Sequence, residues 1–254
     1  MTTVLAAIDN SAASKPVLET AAVLAECIDA AIEALHITEG AHDTASAAAQ
    51  AAHVPLTIDS GDPAAIILER LRQEGIALAV LGLRGEPGGR RPAGSTAIAV
   101  AEGAHKPVVV VPPDYTPGPG ASLRRVLIPL DGTEASARSS RQVAGMLAGS
   151  GVEVIVLHVF DKDTVPAFWD SSRDDFDEWS HEFLARFAEE YDAELDLRTG
   201  ALGENVLSVG RSHEVDLIVL EWAQRLTPGH AEVIREVLAR TDVPVLLLPV
   251  GDAT

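Results

Sequence analysis

A single cysteine, Cys27, is all the thiol chemistry this chain carries, so an internal disulfide is excluded. Cys27 falls in an apolar helical pattern, which predicts a buried structural thiol. Aromatics are scarce too, at 4% of residues, and the 47% apolar content is mostly small and aliphatic. That is the composition of an α/β core, with nothing to suggest bulk disorder. Basic residues number 19 against 38 acidic ones, for a formal net charge of -19. A chain of that sign repels polyanions, so nucleic-acid binding is excluded as a main role, because phosphate neutralisation needs clustered Lys and Arg. No apolar run reaches the length of a membrane span. Met1 to Asn10 lacks a basic start and meets Asp9 too early for a secretory leader. These absences predict a soluble, cytoplasmic protein with no membrane partner. The eight histidines show no ligand spacing among themselves or with Cys27, so no metal site is expected.

What is present is alternation. Thr3 to Ile8 is a β-rich run ending at Asp9, and Ser11 to Ser14 offer helix caps before an Ala/Leu stretch from Pro16 to Ile28. Ala34 to Thr38 and Val54 to Ile58 read as strands, with an Ala-rich helix from Ala41 to Ala51 between them. Gly61-Asp62-Pro63 opens a further helix with proline at its tolerated first position. Ala77 to Leu81 and Val108 to Val111 complete five strands. Strands alternating with helices predict a parallel sheet covered on both faces.

Pro112 to Gly120 is a stiff connector poor in hydrogen-bond donors, and the pattern then starts again. Val126-Leu127-Ile128-Pro129-Leu130-Asp131-Gly132-Thr133 answers Val4 to Ser11 with the aspartate in register. Leu157-His158-Val159 answers Leu35-His36-Ile37, Thr199-Gly200 answers Ser60-Gly61, and Asp242-Val243-Pro244 answers His105-Lys106-Pro107. Two copies of one α/β unit follow, over residues 1–113 and 122–254, with 114–121 as the linker.

One stretch carries chemistry. Leu81-Gly82-Leu83-Arg84-Gly85 leads into a Gly/Pro/Arg loop and then Gly94-Ser95-Thr96, so glycines lie between a strand and a helix start. Glycine lets a ligand approach the main chain, and Ser95 or Thr96 can cap the helix while leaving N–H groups for an anion. The helix dipole would favour a phosphate there by about 0.3 to 2 kcal/mol. The plain alternative is a glycine-rich surface loop with an ordinary cap. A P-loop is excluded because Ser95 stands where the lysine belongs.

With Asp9, the Leu-His-Ile strand, the Gly61-Asp62-Pro63-Ala64 helix start and the glycine loop in order, twice over, the chain resembles the universal stress protein family in tandem form. The resemblance implies two doubly wound five-stranded parallel sheets with strand order 3-2-1-4-5. It also implies a cytoplasmic stress-response protein that binds ATP, with or without Mg2+. A sheet that reverses direction between strands one and four leaves a crevice there, with Asp9 and Gly82 facing across it. By the same resemblance Asp9 would meet the adenine, Ile37 and Leu81 the base, Gly82 and Gly85 the ribose and phosphates, and Gly94, Ser95 and Thr96 the phosphate tail. Asp9 in an Asx-turn is the competing reading, and a solvated loop is the competing one for Arg90 and Arg91. Gly85 to Gly94 encloses eight residues, one fewer than the family pattern.

The second copy departs further. Aligning Pro244 with Pro107 sets Glu221 against Gly82, Ala231 against Gly94 and Glu232 against Ser95, which puts carboxylates where phosphate would sit. Nucleotide binding is therefore expected only in the N-terminal copy. Phe176, Trp179, Phe183, Phe187 and Tyr191 recur every three or four residues behind an acidic run, as one helical face that packs on the core or docks a partner with Phe168 and Trp169. No nucleophile and base occur at motif spacing, so a non-catalytic protein is expected. The functional readings are nucleotide-dependent association, a nucleotide-free dimerisation module and, ranked last, slow ATP hydrolysis. Strand five of each copy would be an apolar sheet edge that needs cover, and the family resemblance implies edge-to-edge packing of the two copies and pairing of two chains as a homodimer.

Overall fold

The runs of Val, Leu and Ala become inner strands buried on both faces, as a parallel sheet covered by helices requires. In the computed structural model, which describes residues 2–40, 42–84, 93–117, 121–160, 165, 173–222 and 230–249, the chain order is two rounds of alternating strands and helices. The first round is β1 (Thr3–Ile8), α1 (Ser14–Cys27), β2 (Ala31–Ile37), α2 (Asp43–Ala51), β3 (Leu56–Asp59), α3 (Pro63–Leu71), β4 (Ile76–Gly82), α4 (Ser95–Gly103) and β5 (Val108–Val111). The second is β6 (Arg125–Pro129), α5 (Glu134–Leu147), β7 (Glu153–Phe160), α6 (Arg173–Phe187), β8 (Ala193–Thr199), α7 (Leu202–Ser212), β9 (Leu217–Trp222), α8 (His230–Arg240) and β10 (Val245–Pro249).

All strands described form one ten-stranded sheet in the order β3-β2-β1-β4-β5-β10-β9-β6-β7-β8. Each repeat is thus the expected 3-2-1-4-5 sheet, parallel within itself. The join is antiparallel, with Val110 opposite Val245, Val109 opposite Leu246 and Val108 opposite Leu247. The two apolar fifth strands therefore cover each other. One layer, α1, α2, α5 and α6, packs on one face through Val17, Leu18, Val143 and Phe183, and the other, α3, α4, α7 and α8, packs on the opposite face through Ile67, Val100, Val206 and Val237.

The repeat is visible in single bonds. His36 Nδ1 donates to Ile8 O at 3.0 Å, and His158 Nδ1 donates to Leu130 O at 2.8 Å. A carbonyl can only accept, so both rings carry the proton on Nδ1. Gly61 (φ +127°) and Gly200 (φ +103°) take the same left-handed turn ahead of α3 and α7.

The copies differ where α2 is matched by the longer α6. Asn10 accepts from the Ala45 N–H at 3.0 Å and so caps the first turn of α2. Its counterpart is Gly132 at φ +81°, where a Cβ would stand 3.4 Å from the Phe183 ring. The glycine makes room for the aromatic helix. Trp179 stacks on Phe183, and Phe183 meets Phe187 at a tilt. From β7, His158 meets Trp179 and Phe183 at a tilt, Phe160 meets Trp179 likewise, and His158 and Phe160 lie edge-on to each other, with centroids about 5 Å apart. Packing on the sheet is thus the fate of this face. The helix ends at Phe187, so Tyr191 lies beyond it and its hydroxyl donates to Ser140 O on α5. Phe168 and Trp169 lie outside the described residues, as does the side chain of Phe176. Cys27 is half-buried rather than buried, because it ends α1, and burial still pushes its thiol above the usual value. Among the described residues no helix is long and apolar enough to cross a membrane.

Burial among the α6 aromatics lowers the affinity of His158 for a second proton, outweighing the Leu130 carbonyl and the Asp131 charge, which act the other way. The unfolded chain takes up that proton first, so this contribution to stability is whole above about pH 6.5 and is lost as the pH falls below it. Urea midpoints of the wild type should therefore drop between about pH 7.5 and about pH 5 by more than those of His158→Gln. Equal drops would remove His158 from the account.

Candidate functional site

At the C-terminal ends of β1 and β4, where the chain leaves for opposite faces of the sheet, the helices diverge and leave a cavity. Its volume is about 260 Å³, and it is walled by α1 (Ala13, Ser14, Val17), α3 (Pro63, Ile67), the strand ends Ile8, Ile37 and Leu81, and the start of α4. Asp9, Ile37, Leu81, Gly82, Gly94, Ser95 and Thr96 all line it. Gly85, together with Gly88, Gly89, Arg90 and Arg91, lies outside the described residues.

The β1–α1 turn is built around Asp9. Its Oδ1 accepts from Ser11 N–H at 2.9 Å and from the Ser11 hydroxyl at 2.5 Å, the Asx-turn geometry. Ser14, almost fully buried, binds both main-chain groups of the same residue, donating to Asp9 O at 2.5 Å and accepting from Asp9 N–H at 3.1 Å. One oxygen of the carboxylate is therefore spent on shaping the rim.

Across the cavity, neither Ser95 nor Thr96 caps α4, because the helix starts one residue earlier than a hydroxyl could serve it. The N-cap is Gly94, in an extended conformation (φ -63°, ψ 150°), and the cap makes no side-chain hydrogen bond. The opening N–H groups of the helix thus stand at the cavity without a side-chain partner from the cap. Gly94 is there for a steric reason as well: its N–H donates to Leu83 O at 2.7 Å, and a Cβ would lie 3.3 Å from that same carbonyl. Gly82 differs, since a Cβ there would meet nothing closer than 3.6 Å.

Arg84 also lines the cavity, beside Gly94, and it is the one cationic side chain among the described lining residues. Its positive charge between two glycines, in a chain this acidic, is the sequence signal for it. Ser14 carries no comparable signal, being a polar residue in an apolar helix start whose partner is main chain.

The second repeat has a counterpart cavity of about 220 Å³. Register makes the comparison direct: Gly82 pairs with Val111 as Glu221 pairs with Leu248. Glu221 and Asp131 line this cavity, with no cation among its described lining residues, and Val159, Leu202, Val233 and Ile234 supply apolar walls. Glu232 stands in the first turn of its helix, as alignment placed it, but is not among the described lining residues of the cavity. α8 begins at His230, which leaves Glu232 exposed in the first turn, so Glu221 and Asp131 carry the acidity of the cavity. Because β5 and β10 run antiparallel, the two cavities open at opposite ends of the sheet.

The universal stress protein family matches residues 40–112 and 122–249, and this chain belongs to that family. Solved structures of the same fold include a universal stress protein from Archaeoglobus fulgidus DSM 4304, with TM-score 0.65, 18% identity and coverage of 99% of this chain and 97% of that one. A protein from Pseudomonas aeruginosa UCBPP-PA14, named for the same family, gives TM-score 0.68 at 16% identity, covering 98% of this chain and 93% of that one. These likenesses extend over both repeats in one chain. No curated protein matches the chain significantly.

The two glycines should separate in their effects on stability. Gly94→Val is expected to cost about 1 to 3 kcal/mol by forcing the Leu83 carbonyl away, whereas Gly82→Ala should stay within about 0.5 kcal/mol of wild type. Urea denaturation at neutral pH measures both, and an equal cost at the two positions would contradict the steric assignment.

Proposed function

We propose that the N-terminal repeat binds an adenine nucleotide, ATP with or without Mg2+, and that occupancy governs how the protein associates with others in a non-catalytic stress response. The observation that carries this reading is the meeting, in one cavity, of an uncapped helix start with a guanidinium and an apolar cleft. The apolar strand ends Ile37 and Leu81 suit a base, while α4 and Arg84 suit a polyphosphate. Asp9 contributes less to base recognition than the family resemblance implies, because its Oδ1 already serves Ser11. That engagement favours the second reading, a nucleotide-free interaction module. A homodimer remains part of the proposal, built on surfaces other than β5 and β10, which are occupied by each other.

The C-terminal cavity is proposed not to take ATP. A carboxylate within about 4 Å of a phosphate charge costs on the order of 1 to 4 kcal/mol, enough to offset the helix dipole.

Mass spectrometry of the purified protein should find carried-over adenine nucleotide, and calorimetric titration of the full chain should give one ATP site. Gly82→Glu, which copies Glu221 into the first cavity, is expected to weaken ATP by about tenfold or more, and Arg84→Gln by about fivefold to tenfold with adenosine affinity unchanged. A wild-type titration without heat, on protein free of carried-over nucleotide, would leave the interaction module as the reading.

A further inference from the structure

The helix that lines the N-terminal cavity is held at its far end by the other repeat. α4 runs from Ser95 at the cavity to Gly103, and the Ala101 carbonyl lies in its last turn, among the acceptors for which a helix has no N–H of its own. Trp222, the last residue of β9, supplies the donor: its indole Nε1–H reaches Ala101 O at 2.8 Å in a buried setting. This follows from the antiparallel join, which brings the C-terminal end of β9 to the end of the sheet opposite the N-terminal cavity, where α4 finishes.

The bond is not repeated by symmetry. The residue of the first repeat in register with Trp222 is Leu83, which has no side-chain donor. The two helices also differ in grip. α8 buries Ile234, Val237 and Leu238, whereas α4 buries Ala97, Val100 and Ala101. Two of the three anchors of α4 are methyl groups, which interlock little with their neighbours, and its N-terminus has no side-chain cap. From Ser95 to Ala101 the helix spans about 9 Å, short enough to pivot as a rod.

We infer that Trp222 is a positioning residue for the N-terminal cavity: by fixing the last turn of α4 it sets where the first-turn N–H groups of that helix stand, so that one repeat completes the site of the other. The positioning is a property of the fold. Only its effect on ligand affinity rests on the nucleotide reading. Glu221, the preceding residue, lines the second cavity, so the same bond also joins the two cavities mechanically.

The test uses the full chain with Trp222→Phe, which keeps a ring and removes the N–H, and Trp222→His, which retains a ring N–H. Hydrogen exchange at the amides of Ile98 to Val100, just inside the first turn, should quicken by about tenfold in the phenylalanine variant, with α3 amides unchanged. The histidine variant should recover part of that protection. Calorimetry should show ATP weakened by about tenfold and adenosine unchanged, since only the phosphates meet α4. The wild-type chain needs no variant to fold: the Trp222 indole proton should shift on ATP addition. Unchanged exchange in α4, or exchange raised alike in α3 and α4 with ATP and adenosine weakened together, would overturn the inference. If the wild type binds neither nucleotide, the proposed function fails, and the exchange measurement alone decides the positioning role.

Discussion

Three residue pairs between β5 and β10 determine how everything else in this molecule is arranged. Each repeat by itself would end in a short strand of bare valines or leucines, an edge that invites another chain. Pairing the two edges removes both liabilities and fixes the relation of the repeats as antiparallel, which no parallel join could reproduce. From that one constraint come the single sheet, the opposed directions of the cavities and the crossing of Trp222 onto α4.

Within this frame the two cavities have diverged by chemistry rather than by shape. Equivalent elements surround them, with an Asx-turn at Asp9 and Asp131 on the rim of each and the left-handed glycines 61 and 200 ahead of α3 and α7. The decisive difference falls at one register position, where Gly82 in one repeat is Glu221 in the other. In the first cavity a carboxylate is balanced by Arg84, whereas in the second the described lining carries carboxylates only. Gene duplication followed by divergence at this position accounts for such a pair, since the fold needs the walls and not a particular residue at the strand end.

Much of the fold could be read from the sequence because it depends on local and periodic signals. Five strands per repeat, the proline at the first position of α3 and the repeat itself all appear as patterns within a few residues. The ten-stranded join was anticipated only through resemblance, since nothing local in Val108–Val111 says what will cover it. The candidate site was legible in position, because glycines and a helix start mark a strand-to-helix crossover. Its details were not. Whether a hydroxyl or Gly94 caps α4 turns on one residue of offset, and whether Asp9 faces a ligand or Ser11 turns on rotamers. Tyr191 was assigned to the wrong element because the spacing of three or four runs on past the end of α6.

The backbone bond from Gly94 to Leu83 has a wider consequence. It closes a neck: the chain departs from β4 and returns to α4 through two residues that are fastened to each other. Such a neck fixes where α4 starts relative to the end of β4. A main-chain bond of this kind needs no particular side chain beyond the glycine, so the tie between the end of the strand and the start of the helix rests on position 94 alone.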